Sequence, residues 1–297
     1  MRNLDRRQFI KTATLAAGAF LSAESAPDVA PASEKAPSPS DLVPLGRTGI
    51  SVSRLAFGTG TVGYNKRSRQ TKLGQQKFVE LVCHAYDAGV RLFDLADQYG
   101  SHPFIAQAIR DGIPREKIVI NTKIWTPISE EEGVQGTLDR FRKELETDYI
   151  DIVLLQCMMD DDWPKRMKKW LDGLEDAKQK KIVRAHGVSC HALGALKTAA
   201  RTEWVDCILA RVNHVGNRMD AAPKMVAPVL KQAHEAGKGI AGMKILGEGD
   251  IAEQREESLK FVLGLGCVDT LVIGLERPEE VDDICEKMSA ILQEKVS

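Results

Sequence analysis

From residue 51 onward the chain alternates short β-type runs with amphipathic helical runs, and it does so eight times. The β-type runs are 55–59, 91–96, 118–124, 150–156, 183–190, 207–213, 239–245 and 270–275. The helical runs are 71–88, 103–111, 130–147, 164–180, 193–202, 223–236, 253–263 and 278–293. Strand–helix units in series imply a parallel sheet with right-handed crossovers. Eight of them close a (β/α)8 barrel. An open doubly wound sheet would want Gly-x-Gly-x-x-Gly after its first strand, and Phe57-Gly58-Thr59-Gly60-Thr61 carries only part of that pattern. Before the first strand, residues 42–52 read as a hairpin turning at Arg47-Thr48-Gly49, placed to cap the barrel bottom. Ser129, Pro164, Pro223 and Pro278 mark helix starts. Gly89, Gly237 and Gly264 mark helix ends that want a positive φ.

The first forty residues stand apart. Asp5-Arg6-Arg7-Gln8-Phe9-Ile10-Lys11 precedes a short apolar stretch, 12–23, roughly half of what a membrane-spanning helix needs. Paired arginines, then Phe, then a weakly apolar stretch match a twin-arginine export signal. Residues 25–40 are rich in Pro, Ala and Ser and read as a linker. The expected division is therefore 1–40 as signal and linker and 41–297 as the barrel. The expected location is exported and periplasmic, with the twin-arginine machinery as a partner and no stable membrane span.

With 297 residues, 43% hydrophobic, one large core is attainable. The net charge is −1, from 41 basic and 42 acidic side chains, which gives no footing for nucleic acid or an anionic membrane. None of the six cysteines forms a Cys-x-x-Cys pair, so no metal site is expected and the thiols read as core residues. In an exported chain one or two disulfides stay open, without a pairing.

In a barrel of this kind chemistry sits at the carboxyl ends of the strands. Asp94, Tyr99, Lys123 and Gln156 fall at or just after the ends of strands two, three and four. Tyr99 is the candidate proton donor. Lys123 is expected to lower its pKa by favouring the phenolate, and Asp94 to hold Lys123 charged, since a lone buried ammonium is costly. Taken singly, Lys123 also reads as a snorkelling edge lysine and Asp94 as a turn cap.

The segments Pro44-Leu-Gly-Arg-Thr-Gly49, Phe57-Gly-Thr59, Phe93-Asp-Leu-Ala-Asp-Gln-Tyr-Gly100, Thr122-Lys123, Asp148-Tyr-Ile-Asp-Ile-Val-Leu-Leu155, Gly187-Val-Ser-Cys190 and Val272-Ile-Gly274 resemble the aldo-keto reductase family. The resemblance spans nearly all of 41–297. It implies a (β/α)8 TIM barrel with an N-terminal β-hairpin. It also implies an NAD(P)H-dependent oxidoreductase acting on a small-molecule carbonyl or sugar-like substrate. Of the family's Asp–Tyr–Lys–His tetrad it places three on Asp94, Tyr99 and Lys123, with Gln156 at the His position. An amide can donate a hydrogen bond to a carbonyl but cannot titrate near neutrality. His186, His191 and His214 lie near later strand ends as substitutes.

For the cofactor the resemblance implies contacts from Gly58, Thr59, Ser189, Met243, Lys244, Gly274, Arg277 and Asp283, with Cys190 at the usual Asn position. NADP is favoured over NAD on family habit, although Glu280 stands where an Arg often contacts the 2′-phosphate. The chain stops soon after the last helical run, so an open pocket is expected, rimmed by Trp125, Met158, Met159, Asp160, Trp163 and Asn217. The alternative is a catalytically altered barrel serving as an exported binding or accessory protein.

Overall fold

The computed structural model describes residues 36–294. The twin-arginine signal and most of the linker expected over 1–40 lie outside these residues. The strands are β1 (Leu42–Pro44), β2 (Ser51–Ser53), β3 (Leu55–Gly58), β4 (Leu92–Asp94), β5 (Val119–Ile124), β6 (Ile150–Met158), β7 (Val183–Cys190), β8 (Cys207–Arg211), β9 (Gly239–Met243) and β10 (Thr270–Gly274). The helices are α1 (Gln75–Asp87), α2 (His102–Arg110), α3 (Thr126–Ser129), α4 (Gly133–Leu145), α5 (Trp163–Arg166), α6 (Lys168–Gln179), α7 (Leu193–Arg201), α8 (Pro223–Glu235), α9 (Arg255–Gly264) and α10 (Pro278–Glu294).

Strands β3 to β10 form a closed barrel in sequence order, β10 pairing back onto β3. Side chains alternate across each strand. One set faces outward to the helices: Phe57, Phe93, Ile120, Val153, Val188, Ile208, Ile240 and Ile273 share a core with Phe78, Leu81 and Val82 of α1 and Leu138 and Phe141 of α4. The other set fills the barrel. Ala56, Leu92, Val119, Ile152, Leu154, Ala185, Cys207, Leu209, Ala241 and Met243 pack there with Leu45, Ile50 and Val52. The last three come from the β1–β2 hairpin, whose strands pair antiparallel, so the hairpin plugs one end as expected. Fully burying such a side chain contributes roughly 1.5–3 kcal/mol.

Several expectations shift. Ser129 ends α3 rather than starting α4, whose N-cap is Glu132. Gly264 is the last residue of α9, and the positive φ falls two residues later at Gly266, at 66°. Trp163 is fully buried under α7, its indole N–H donating to Ala195 O at 3.3 Å, so it is no part of a rim. Pro39 O already accepts the β3 amide of Leu55 at 3.0 Å, so residues just before 41 belong with the barrel. All six cysteines are free thiols. No helix among the described residues is long and apolar enough to cross a membrane.

Three strands are tied by one buried acid. Asp151 on β6 accepts from Arg115 Nη2 at 2.7 Å, from Arg184 Nη1 of β7 at 2.6 Å and from the β5 amide of Ile120 at 2.9 Å. Removing the carboxylate strands a buried amide and a mostly buried guanidinium. Asp151→Ala is expected to lower unfolding stability by about 3–5 kcal/mol, measured by urea denaturation; a loss under 1 kcal/mol would show that the network carries no such weight.

Candidate active site

The alternation that fills the barrel also selects what stands at its mouth. Two residues beyond each interior apolar residue, the same inner face carries Asp94 on β4, Asn121 on β5, Gln156 on β6 and Arg211 on β8; Lys123 follows Asn121 on that face. The apolar filling thus gives way to a polar layer at the carboxyl ends.

Asp94 and Lys123 are its buried ion pair, at 5% and 1% exposure. Lys123 Nζ lies 2.7 and 2.8 Å from the two Asp94 oxygens and 2.7 Å from Leu95 O. Three acceptors use all three N–H bonds of an ammonium, so the geometry is that of an ion pair. Asn121 Nδ2 adds a 2.6 Å hydrogen bond to Asp94 Oδ1. Burial works against both charges, pushing the Asp94 carboxyl up and the Lys123 ammonium down, while their mutual attraction opposes it.

Tyr99 closes a short 3-10 turn, Asp97–Tyr99, just after β4. Buried Asp97 anchors that turn through Arg140 at 2.8 Å and through Lys66. The phenol ring is seated against Gly60 and Gly63, where any added methyl would overlap it. Lys123 Nζ sits 4.7 Å from the ring centroid, over its face and not on the hydroxyl. This corrects the expected tuning. Burial first, then the charges of Asp94 and Glu248, raise the Tyr99 pKa above its ordinary value. The three N–H bonds of the ammonium go to Asp94 and Leu95 O.

A groove of about 510 Å³ starts at Tyr99 and Asp94 and runs over the β9, β10 and α10 ends. Gly58, Met243, Lys244, Gly274, Arg277 and Asp283 all line it, so six of the eight expected cofactor residues share one wall. The other two do not reach it. Thr59 is fully buried, its hydroxyl donating to Asp94 O at 2.9 Å and accepting from Ser101 Oγ at 2.8 Å. Ser189 is buried and its Oγ accepts the Cys157 amide at 2.8 Å. Lys244 is tied to Glu248, and burial lowers its pKa. At the far end Arg277 pairs with Glu280 at 2.8 Å, Arg255 with Asp283 at 2.7 Å and Arg69 with Glu276 at 3.4 Å.

The groove's size suits a ligand cleft. Gly58 and Gly274 stand on its wall, where the backbone is closely packed against neighbouring protein atoms. A methyl on Gly58 would press to 3.2 Å from the Gly274 amide nitrogen, and one on Gly274 would overlap Thr61. The groove runs from Tyr99 to the cations Arg255 and Arg277, a lining that an extended anionic ligand such as a dinucleotide would fit. No group of His, Cys, Asp and Glu among the described residues could hold a metal.

Gln156 stands on the inner face, its Oε1 buried without a hydrogen-bond partner. A bulge follows it: the β6–β7 register shifts between Leu155 and Met158, and Cys157 takes φ 69°. Of the three histidines noted near strand ends, His186 is buried outside the barrel, stacked on Trp204. His214 bonds Gln254 on the surface. His191 alone joins the mouth, where its Nδ1 accepts from Arg211 Nη2. Three further residues here, Asn121, Arg211 and Glu248, are absent from the expectations above. The signal for the first two was in the alternation: Cys207, Leu209 and Arg211 share one strand face, as do Val119, Asn121 and Lys123.

Burial, followed by the charges of Arg211, Lys244 and Lys123, pushes His191 down from 6.5 to about 3. A folded-state pKa below the unfolded one means that the unfolded chain takes up a proton first. Stability from this residue is complete above about pH 6.5 and is lost as pH falls toward 3. His191→Gln is therefore expected to gain stability relative to the parent chain as pH falls from 7 to 4, measured as the difference in urea midpoints. A pH-independent difference would contradict this protonation state.

Comparison with known proteins agrees with this geometry. The sequence model of the Aldo/keto reductase family matches residues 54–263. The chain is 30% identical over 173 residues to an aldo-keto reductase of Mycobacterium avium, covering 55% of this chain and 54% of that one. It is 27% identical over 159 residues to a methylglyoxal reductase of Salmonella typhimurium, covering 52% and 54%. The chain thus spans about half the length of the curated relatives it matches. Among solved structures, an aldo-keto reductase from Pseudomonas aeruginosa superposes with a TM-score of 0.70 at 25% identity, over 86% of this chain and 97% of the other. The matched segment includes the whole polar layer from Asp94 to Arg211, and the chain belongs to the aldo/keto reductase family.

Proposed function

We propose that this chain is an NAD(P)H-dependent oxidoreductase that reduces an aldehyde, ketone or sugar-like carbonyl to the alcohol, with Tyr99 as general acid. The observation that carries the reading is a buried phenol ring, seated over the Asp94–Lys123 pair, where the groove begins. A bound reduced nicotinamide would supply hydride to the carbonyl carbon. Tyr99 gives its phenolic proton to the carbonyl oxygen. Asp94, with Asn121, fixes Lys123. Lys123 supports the ring and offsets negative charge as the phenolate forms. Gln156 offers its amide to orient the carbonyl. Gly58 and Gly274 admit the dinucleotide backbone, Met243 packs beside its ring, and Arg277 and Arg255 face its phosphates or ribose.

NADP is the cofactor proposed from family habit, and the acidic end of the groove supports NAD as the second choice. There Glu280 holds Arg277 with one oxygen and accepts the Glu276 amide at 2.8 Å with the other. The second functional reading, an accessory binding barrel, draws on Ser189 being bonded to Cys157 and Cys190 being fully buried, so neither side chain faces the groove. We also propose twin-arginine export to the periplasm, resting on Arg6-Arg7 and the apolar stretch after it. Such a reductase must retain its cofactor tightly or regenerate it in place. Fractionation of cells with N-terminal sequencing tests this, and an uncleaved cytoplasmic chain refutes it.

Tyr99→Phe is expected to lower kcat by about 10²–10⁴-fold while dinucleotide binding, followed by fluorescence quenching, stays intact. Unchanged turnover would remove Tyr99 as proton donor. Glu280→Gln is expected to tighten NADPH binding severalfold more than NADH binding, because it removes a carboxylate facing the 2′-phosphate. Equal effects on both would place Glu280 away from that phosphate.

A further inference from the structure

The mouth has a second wall opposite the groove, and it is polar and incompletely bonded. Among the described residues, buried side-chain atoms without a hydrogen-bond partner include Gln156 Oε1 and Arg211 Nε, at the β6 and β8 ends. Native structures rarely leave such atoms idle unless a ligand, ion or water completes them. Arg211 is the charged member. It continues the inner-face series Cys207, Leu209, Arg211, and it pairs in register with Met243, which lines the groove.

Two contacts aim its guanidinium. Nη1 donates to Asp220 Oδ1 at 3.1 Å, and Nη2 donates to His191 Nδ1. Asp220 is itself nearly buried, its side chain 4% exposed. A guanidinium carries five N–H bonds, and these two contacts use two of them. The Nε–H and an adjacent Nη2–H form a side-on fork that matches the two oxygens of a carboxylate. The other two cations of the mouth are ammoniums, point charges without a planar fork. Lys123 has its three N–H bonds taken, and Lys244 is tied to Glu248. Gln156, on β6, lies between Lys123 of β5 and Arg211 of β8 in the barrel order.

We propose that Arg211 is the anchor for a carboxylate on the substrate, so that the preferred substrate is a small oxo acid whose carbonyl lies between Gln156 and Tyr99. The proposal rests on the reductase reading for its carbonyl, but the anion site stands or falls by itself. Neutral His191 supports the fork by accepting from it without adding positive charge, and its own proton is left on Nε2, facing away from Arg211.

The test separates the two readings. The full chain is titrated calorimetrically with oxamate, an unreactive small carboxylate, with and without dinucleotide. Glyoxylate and methylglyoxal, aldehydes of similar size with and without charge, serve as substrates. The parent chain is expected to bind oxamate and to favour glyoxylate in kcat/KM by tenfold or more. Arg211→Met is expected to weaken oxamate at least tenfold and to erase the glyoxylate preference, chiefly through KM; Arg211→Lys, which keeps charge without the fork, is expected to fall between. Oxamate binding that survives Arg211→Met, or equal loss on both aldehydes with oxamate unaffected, overturns the proposal. If neither aldehyde is turned over but Arg211→Met abolishes oxamate binding, the anion site holds and the reductase reading fails. Should Arg211→Met not fold, the parent chain's own preference decides: no oxamate binding and no preference for glyoxylate overturns the anchor.

Discussion

Everything at the barrel mouth leans on one buried ion pair. An ammonium inside a closed β-barrel is tolerable only where each of its protons has an acceptor, and Lys123 meets that condition with two oxygens of Asp94 and one backbone carbonyl. The pair fixes β4 against β5 above the level of the apolar filling. It also gives the Tyr99 ring something to rest on. Burial, followed by the charges of Asp94 and Glu248, raises the phenol's pKa.

Around that pair the strand alternation builds two unlike walls. Towards β3, β9 and β10 the inner face ends in Gly58, Met243 and Gly274, small or apolar, with the space that a flat ring and an extended backbone require. Towards β6 and β8 it ends in Gln156 and Arg211, whose hydrogen-bonding capacity is only partly used. A molecule lying between the walls would meet an apolar face on one side and directional donors on the other. The Tyr99 hydroxyl stands near the seam. The division follows from which residue type ends each strand, and no loop rearrangement is needed to create it.

The barrel, its hairpin and the Asp94–Tyr99–Lys123 group were legible because each depends on period-two burial or on strand-end position, both of which are written locally. Other features depend on partners distant in sequence. Thr59 and Ser189 look like ligand-facing hydroxyls, yet their bonds go to Asp94 O, Ser101 and the Cys157 amide. Nothing in residues 57–61 announces Ser101. The seating of Lys123 over the phenol ring, which reversed the expected shift of Tyr99, is a matter of where one side chain ends in space. Trp163 reads as a rim aromatic until α7 covers it. Arg211 was readable, since Cys207 and Leu209 put it inside, but a lone arginine after an apolar run resembles an ordinary strand terminus.

The hairpin that seals the amino end has a bearing on traffic. With Leu45, Ile50 and Val52 wedged among the innermost apolar side chains, the cylinder is a blind well. Whatever descends towards Asp94 must climb out again past the same lip. A long occupant lying along the glycine trough would roof part of that opening, leaving a smaller visitor only the Gln156–Arg211 side as its way in and out. Sequence of arrival and departure would then follow from the packed interior, which leaves the mouth as the one way in.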